Sequence, residues 1–129
     1  MILLVEDQEA LRTAVSLSLE KHGFAVISAC DGTSAVATFR ERINEIDMVL
    51  LDVTLPGLSG AEVYRELLRM KPELKILLTS AYDVPQISPD FLLGGKALFH
   101  FIRKPYRISD LLRVLQQICL QGAGNPESC

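Results

Sequence analysis

Cysteine is scarce in this chain: Cys30, Cys119 and Cys129 are three scattered residues. Such spacing excludes a disulfide framework or a zinc cluster and fits small thiols in a reducing cytosol. Long apolar runs are lacking too. Met48–Leu51 and Ile76–Leu78 have the length of buried strands, far too short to cross a bilayer, and no signal-peptide pattern stands ahead of them. There is no block of like charge and the net charge is −3, which argues against direct contact with nucleic acid or an anionic membrane surface. The two histidines, His22 and His100, have no nucleophile beside them and read as surface and strand residues. No repeat or low-complexity segment occurs. These absences leave a cytoplasmic globular domain with no membrane insertion.

What is present is enough for one full core: 129 residues, 49% of them hydrophobic and 22% charged. Short apolar runs alternate with amphipathic stretches. Met1–Val5 reads as a buried strand. Leu11, Ala14, Val15 and Leu19 then recur at helical spacing between Gln8 and His22, and Gly23 is placed to end that helix. Phe24–Ala29 reads as the second strand, followed by the turn pair Asp31-Gly32 and a helix over Thr33–Ile43. Met48–Leu51 is the third strand and runs into Asp52; Pro56-Gly57 marks a turn. Ser59-Gly60-Ala61-Glu62 matches a capping box, in which Ser59 bonds the Glu62 amide while Glu62 reaches back. That helix stops before Pro72, and Lys75–Thr79, Leu98–Arg103 and Ile108–Leu120 complete two strands and a last helix. Between Tyr82 and Lys96, Pro85, Pro89, Gly94 and Gly95 leave room for only a short helix around Asp90–Leu93. The expected domain is 1–121, with 122–129 a flexible tail or linker stub.

Strands separated by helical patterns imply βαβ units, hence a parallel sheet covered on both faces. In such sheets polar chemistry gathers at the carboxyl ends of the strands. The residues there are Glu6-Asp7 after the first strand, Asp52 after the third, Ser80 after the fourth and Lys104 after the fifth. Three carboxylates on one rim repel each other. Lys104 offsets one charge, and a hard divalent cation suits the rest, because an oxygen-only donor set points to Mg²⁺ or Mn²⁺. A metal, a carboxylate nucleophile, a hydroxyl and an ammonium are the parts of a phosphoryl-transfer site. Each residue alone has a duller reading: Glu6 and Asp7 as helix-capping acids, Ser80 as a turn residue with Thr79 a rival hydroxyl, Lys104 as a solvated lysine.

Leu3-Leu4-Val5-Glu6-Asp7, Leu50-Leu51-Asp52, Leu78-Thr79-Ser80-Ala81 and Arg103-Lys104-Pro105-Tyr106, in that order and each at a strand end, resemble the receiver domains of two-component response regulators. The likeness runs from Met1 to about Leu120. It implies a flavodoxin-like three-layer sandwich, with five parallel strands ordered 2-1-3-4-5 and a fourth helix that is short or irregular here. It implies that Asp52 accepts phosphate from a histidine kinase or a histidine phosphotransfer domain, and that Glu6, Asp7, Asp52 and the Thr54 carbonyl hold Mg²⁺, with Mn²⁺ an alternative. Ser80 would be the switch hydroxyl, Phe101 the aromatic that turns behind it, and the Lys104–Pro105 bond would be cis. A weak homodimer is compatible with the resemblance. Glu6 stands where aspartate is common in the family, and Phe101 lacks the hydroxyl of the commoner tyrosine. Tyr82, two residues after Ser80, is placed to shield an acyl phosphate from water.

Three other readings compete. A phosphatase of the haloacid-dehalogenase type would carry its nucleophile after the first strand with a second aspartate two residues on, where this chain has Asp7-Gln8-Glu9. A flavin-binding protein needs a hydroxyl- and glycine-rich loop there, and the acids would repel phosphate instead. A degenerate receiver used only for binding would not need the full residue set. The chain either acts alone through partners or is a domain cut from a longer protein such as a hybrid histidine kinase, and it is expected to signal rather than turn over substrate.

Overall fold

A computed structural model describes residues 1–55, 59–80 and 100–123, with side chains through 118. The strands are β1 (Ile2–Val5), β2 (Val26–Ala29), β3 (Met48–Asp52), β4 (Lys75–Ser80) and β5 (His100–Arg103). They form one parallel sheet in the order β2-β1-β3-β4-β5. The helices are α1 (Glu9–Lys21), α2 (Gly32–Glu41), α3 (Gly60–Met70) and α4 (Ile108–Ala123). Continuous apolar strands such as Ile2–Val5 and Met48–Leu51 are buried on both sides, as a sheet covered by helices requires.

Strand alternation divides the core in two. Leu3, Val5, Val49, Leu51, Ile76 and Leu78 meet Phe39 of α2 and Val63, Tyr64 and Leu67 of α3. On the opposite face Ile2, Leu4, Met48, Leu50 and Leu77 meet Val15 and Leu19 of α1 and Leu111, Leu115 and Ile118 of α4. The two faces share only the sheet, so whatever sits at the strand ends is held from both sides.

Local signals explain most helix ends. Gly23 takes φ +92°; its amide donates to the Glu20 carbonyl and that of Phe24 to Leu19, both at 3.0–3.1 Å, the bond pair of a Schellman cap. That cap delays β2, which begins at Val26 and not at Phe24. Asp31 caps α2 by accepting from the Ser34 amide at 2.7 Å, so the helix starts at Gly32, and it ends at Glu41, short of Ile43. The capping box of α3 forms only in part. Ser59 Oγ accepts from the Glu62 amide at 3.2 Å, but the Glu62 carboxylate takes the Ser59 hydroxyl at 3.3 Å. The last helix runs on through Gly122 and Ala123, two residues into the expected tail. The short helix expected around Asp90–Leu93, Tyr82, the start of the fifth strand at Leu98 and the rest of the tail lie outside the described residues.

Gly60 fixes how closely α3 approaches β3. A Cβ on Gly60 would lie 2.4 Å from the Val53 carbonyl oxygen, and the Gly60 amide donates to that same oxygen at 3.2 Å. Backbone cannot yield as a side chain can. Gly60→Ala is therefore expected to cost about 1–3 kcal/mol of stability, the usual range for overpacking, read as a lower urea midpoint at unchanged slope. A midpoint equal to the native one would refute the close contact.

Candidate acidic phosphoacceptor site

The carboxyl ends of β1, β3 and β5 bring Glu6, Asp52 and Lys104 together. Alternation along the strands puts all three on the α1/α4 side of the sheet. Glu6 and Asp52 are buried at 2% and 4% exposure, while Asp7 is exposed. Carboxylate oxygens of Glu6, Asp7 and Asp52 all lie within 4.8 Å of one another. Lys104 Nζ donates to Glu6 Oε1 at 2.7 Å and to Asp52 Oδ2 at 3.0 Å. The other oxygens are also engaged: Glu6 Oε2 accepts from the Gln8 amide at 3.1 Å and Asp52 Oδ1 from the Thr54 amide at 3.0 Å. Lys104 is itself placed by its amide, which donates to the Ser80 carbonyl at 2.7 Å, and the Lys104–Pro105 peptide is cis.

One lysine thus serves two buried carboxylates, and the titration behaviour follows. Burial raises the Glu6 carboxyl above its ordinary range and the neighbouring Asp52 charge adds to this, against the lowering effect of Lys104. Burial pulls the Lys104 ammonium down, but its hydrogen bonds to Glu6 and Asp52 and their charges outweigh that, leaving it raised. Burial thus decides the direction for Glu6, and the two acids decide it for Lys104. Tyr106 feels both: burial first, then the charges of Glu6 and Asp52, push its hydroxyl up to about 12. Beside the cluster a cleft of about 340 Å³ is lined by Gln8, Leu11, Lys104, Pro105 and Tyr106.

The donors fit a hard divalent cation: all oxygen, clustered, and anionic beyond what Lys104 balances. Thr54, two residues past Asp52, is exposed and is tied to the site through its amide, which donates to Asp52 Oδ1. Ser80 is buried at the end of β4, and Thr79 is paired in register with Asp52. Alternation gives Ser80 and Phe101 the α2/α3 side of the sheet, and Phe101 packs partly buried in that core beside its register partner Leu78. Two contributors escaped the sequence reading. The Gln8 amide needed the turn geometry after β1. Arg12, whose Nη1 donates to the Glu6 carbonyl at 3.0 Å, lies one helical turn after Gln8, and that spacing was the available signal.

A doubly wound parallel sheet with an acid cluster and a lysine at its carboxyl edge has its charged site where such sheets bind their ligands. The model of the response regulator receiver domain matches residues 2–116. The chain belongs to that family, the receiver domains of two-component systems. It is 31% identical over 128 residues to the sensory transduction protein RegX3 of Mycolicibacterium smegmatis, covering 98% of this chain and 54% of that protein. It is 30% identical over 117 residues to the sensor kinase CckA of Brucella abortus, covering 91% and 12% respectively. The chain thus spans about half or less of these curated relatives. Among solved structures, the receiver domain of NtrX from Brucella abortus superposes with a TM-score of 0.80 at 27% identity, covering 95% of this chain and all of that one. No described helix is long and apolar enough to cross a membrane.

Proposed function

We propose that Asp52 is the phosphoacceptor of a cytoplasmic, Mg²⁺-dependent relay switch, loaded by the phosphohistidine of a histidine kinase or a histidine phosphotransfer domain. The observation that carries this reading is Lys104 bridging Glu6 and Asp52 inside a three-carboxylate cluster. One Asp52 oxygen bonds to phosphorus as the phosphorus–nitrogen bond of the donor breaks, and that bond's electron pair stays on the imidazole nitrogen. The Thr54 amide orients the carboxylate for this attack. Lys104 needs only to redirect a donor from Asp52 to an incoming phosphoryl oxygen, whereas Ser80, on the other face of the sheet, would move its hydroxyl toward the phosphoryl group to bond another. Glu6, Asp7, Asp52 and the Thr54 carbonyl would hold Mg²⁺, Glu6 and Asp7 directly or through water; when bound, the ion would supply positive charge against that of the carboxylates and the phosphoryl group. Ser80 and Phe101, on one face of the sheet, would carry the change to a partner or an attached domain. The product is a phosphorylated protein, so the chain acts as a slow self-dephosphorylating switch and not as a turnover enzyme.

Acetyl phosphate with Mg²⁺ tests this. Intact-protein mass spectrometry is expected to show the native chain gaining one phosphoryl group, lost on treatment with hydroxylamine, and Asp52→Asn gaining none. Asparagine keeps an oxygen for the Thr54 amide and lowers the excess negative charge, so the variant should fold at least as stably as the native protein. Phosphorylation of Asp52→Asn at the native level would end the assignment.

A further inference from the structure

In the loop that carries Glu6 and Asp7, the polar atoms of Glu6 are all held, whereas the Asp7 carboxylate is not. The Glu6 amide donates to the Ala29 carbonyl at 3.1 Å, and the Glu6 side chain is fixed by Lys104 and the Gln8 amide. Asp7 is exposed and accepts no hydrogen bond from the described residues. With no side-chain partner of its own, Asp7 depends on the Glu6–Asp7 peptide for the point from which its side chain leaves the backbone. The side chain that grips that peptide is Arg12, through Nη1 to the Glu6 carbonyl at 3.0 Å. Gln8, at the N-cap of α1, makes no side-chain capping bond, so the usual means of fixing such a turn is missing. We propose that Arg12 is a positioning residue: it braces the Glu6–Asp7 peptide from α1 so that the Asp7 carboxylate is presented to the divalent cation. This rests on the metal reading given above.

Charge and bracing predict opposite signs, which makes the idea testable. A guanidinium beside an acid cluster repels a cation, so a purely electrostatic Arg12 would weaken metal binding and its removal would tighten it. A brace does the reverse. Mn²⁺ titration of the full chain, followed by electron paramagnetic resonance of the free ion, is expected to show Arg12→Met binding about tenfold more weakly, the scale typical of groups that orient metal ligands. Arg12→Lys, which keeps a donor for the Glu6 carbonyl, is expected to recover most of that loss. The metal-free thermal midpoint is measured alongside. Equal or tighter Mn²⁺ binding by Arg12→Met overturns the proposal, including the case where only the thermal midpoint falls, which would make Arg12 merely structural. If Arg12→Met does not fold, Arg12→Leu, which likewise lacks a donor, carries the same expectation. Failure of the native chain to bind Mn²⁺ would overturn the metal reading and Arg12 with it, whereas native binding with an indifferent Arg12 variant removes only the brace.

Discussion

Lys104→Met is expected to lose about 3 kcal/mol of folding stability in metal-free buffer at neutral pH, the low end of the cost of stripping one partner from a buried ion pair. The side chains of Glu6 and Asp52 are 3% and 5% exposed, that of Lys104 16%. Solvent therefore screens the two acids little once their shared cation is gone. The pH dependence has a defined sign. Glu6 is raised above the ordinary carboxyl value, so its ionisation opposes folding, and stability falls as pH climbs from that ordinary value through the folded one. Losing Lys104 removes the hydrogen bond and charge that lower it, and so raises it further. The gap between native and variant should close on acidification below the ordinary carboxyl value. In the alkaline range both proteins lose stability as Tyr106 ionises, but only the native protein also loses the contribution of Lys104 as pH passes through its raised value, because the variant has no ammonium there. Mg²⁺ should return much of the neutral-pH deficit by supplying the missing positive charge. Urea midpoints of both proteins across pH check this. A deficit that persists undiminished in acid would mean that packing of the lysine stem, not its charge, is what was lost.

Much of this was legible in the chain because two rules reinforce each other. Apolar runs ending in Glu6, Asp52 and Lys104 reveal both the strands and their exits, and a parallel sheet sends all exits to one edge. The pairing of Asp52 with Thr79 and of Leu78 with Phe101 follows from that order once the strands are aligned. What stayed hidden depends on where backbone atoms lie. Gly60 reads as a capping-box residue, yet its requirement comes from the Val53 carbonyl pressed against it. Glu62 fits a pattern whose second bond goes elsewhere: its carboxylate accepts from the Ser59 hydroxyl. Lys71 looks like a surface residue before Pro72, but its Nζ donates to the carbonyls of Ile43 and Ile46 at 3.0 and 2.7 Å. Patterns of side-chain polarity say which face a residue occupies; they are silent on a carbonyl that needs a donor.

The same distinction separates the two acids of the first loop. Glu6 spends both oxygens inside the protein, on Lys104 and on the Gln8 amide, whereas Asp7 is exposed and uncommitted among the described residues. Asp7 is thus the acid of this pair that can meet a cation without first breaking a protein bond. Asp7→Asn is expected to leave metal-free stability within about 0.5 kcal/mol of native, as befits an exposed site. It should weaken Mg²⁺ binding roughly a hundredfold, since a neutral amide cannot replace a carboxylate charge beside a divalent ion. Linkage converts that into a second observable: at Mg²⁺ concentrations that saturate the native chain, the variant should lack about 2.7 kcal/mol of metal-dependent stabilisation. Thermal denaturation with and without Mg²⁺ reads this directly, and phosphorylation by acetyl phosphate should fall in step at limiting Mg²⁺. If Asp7→Asn keeps the full Mg²⁺-dependent rise while Glu6→Gln loses it, the ion is held through the buried glutamate, and Lys104 must give way for it to enter.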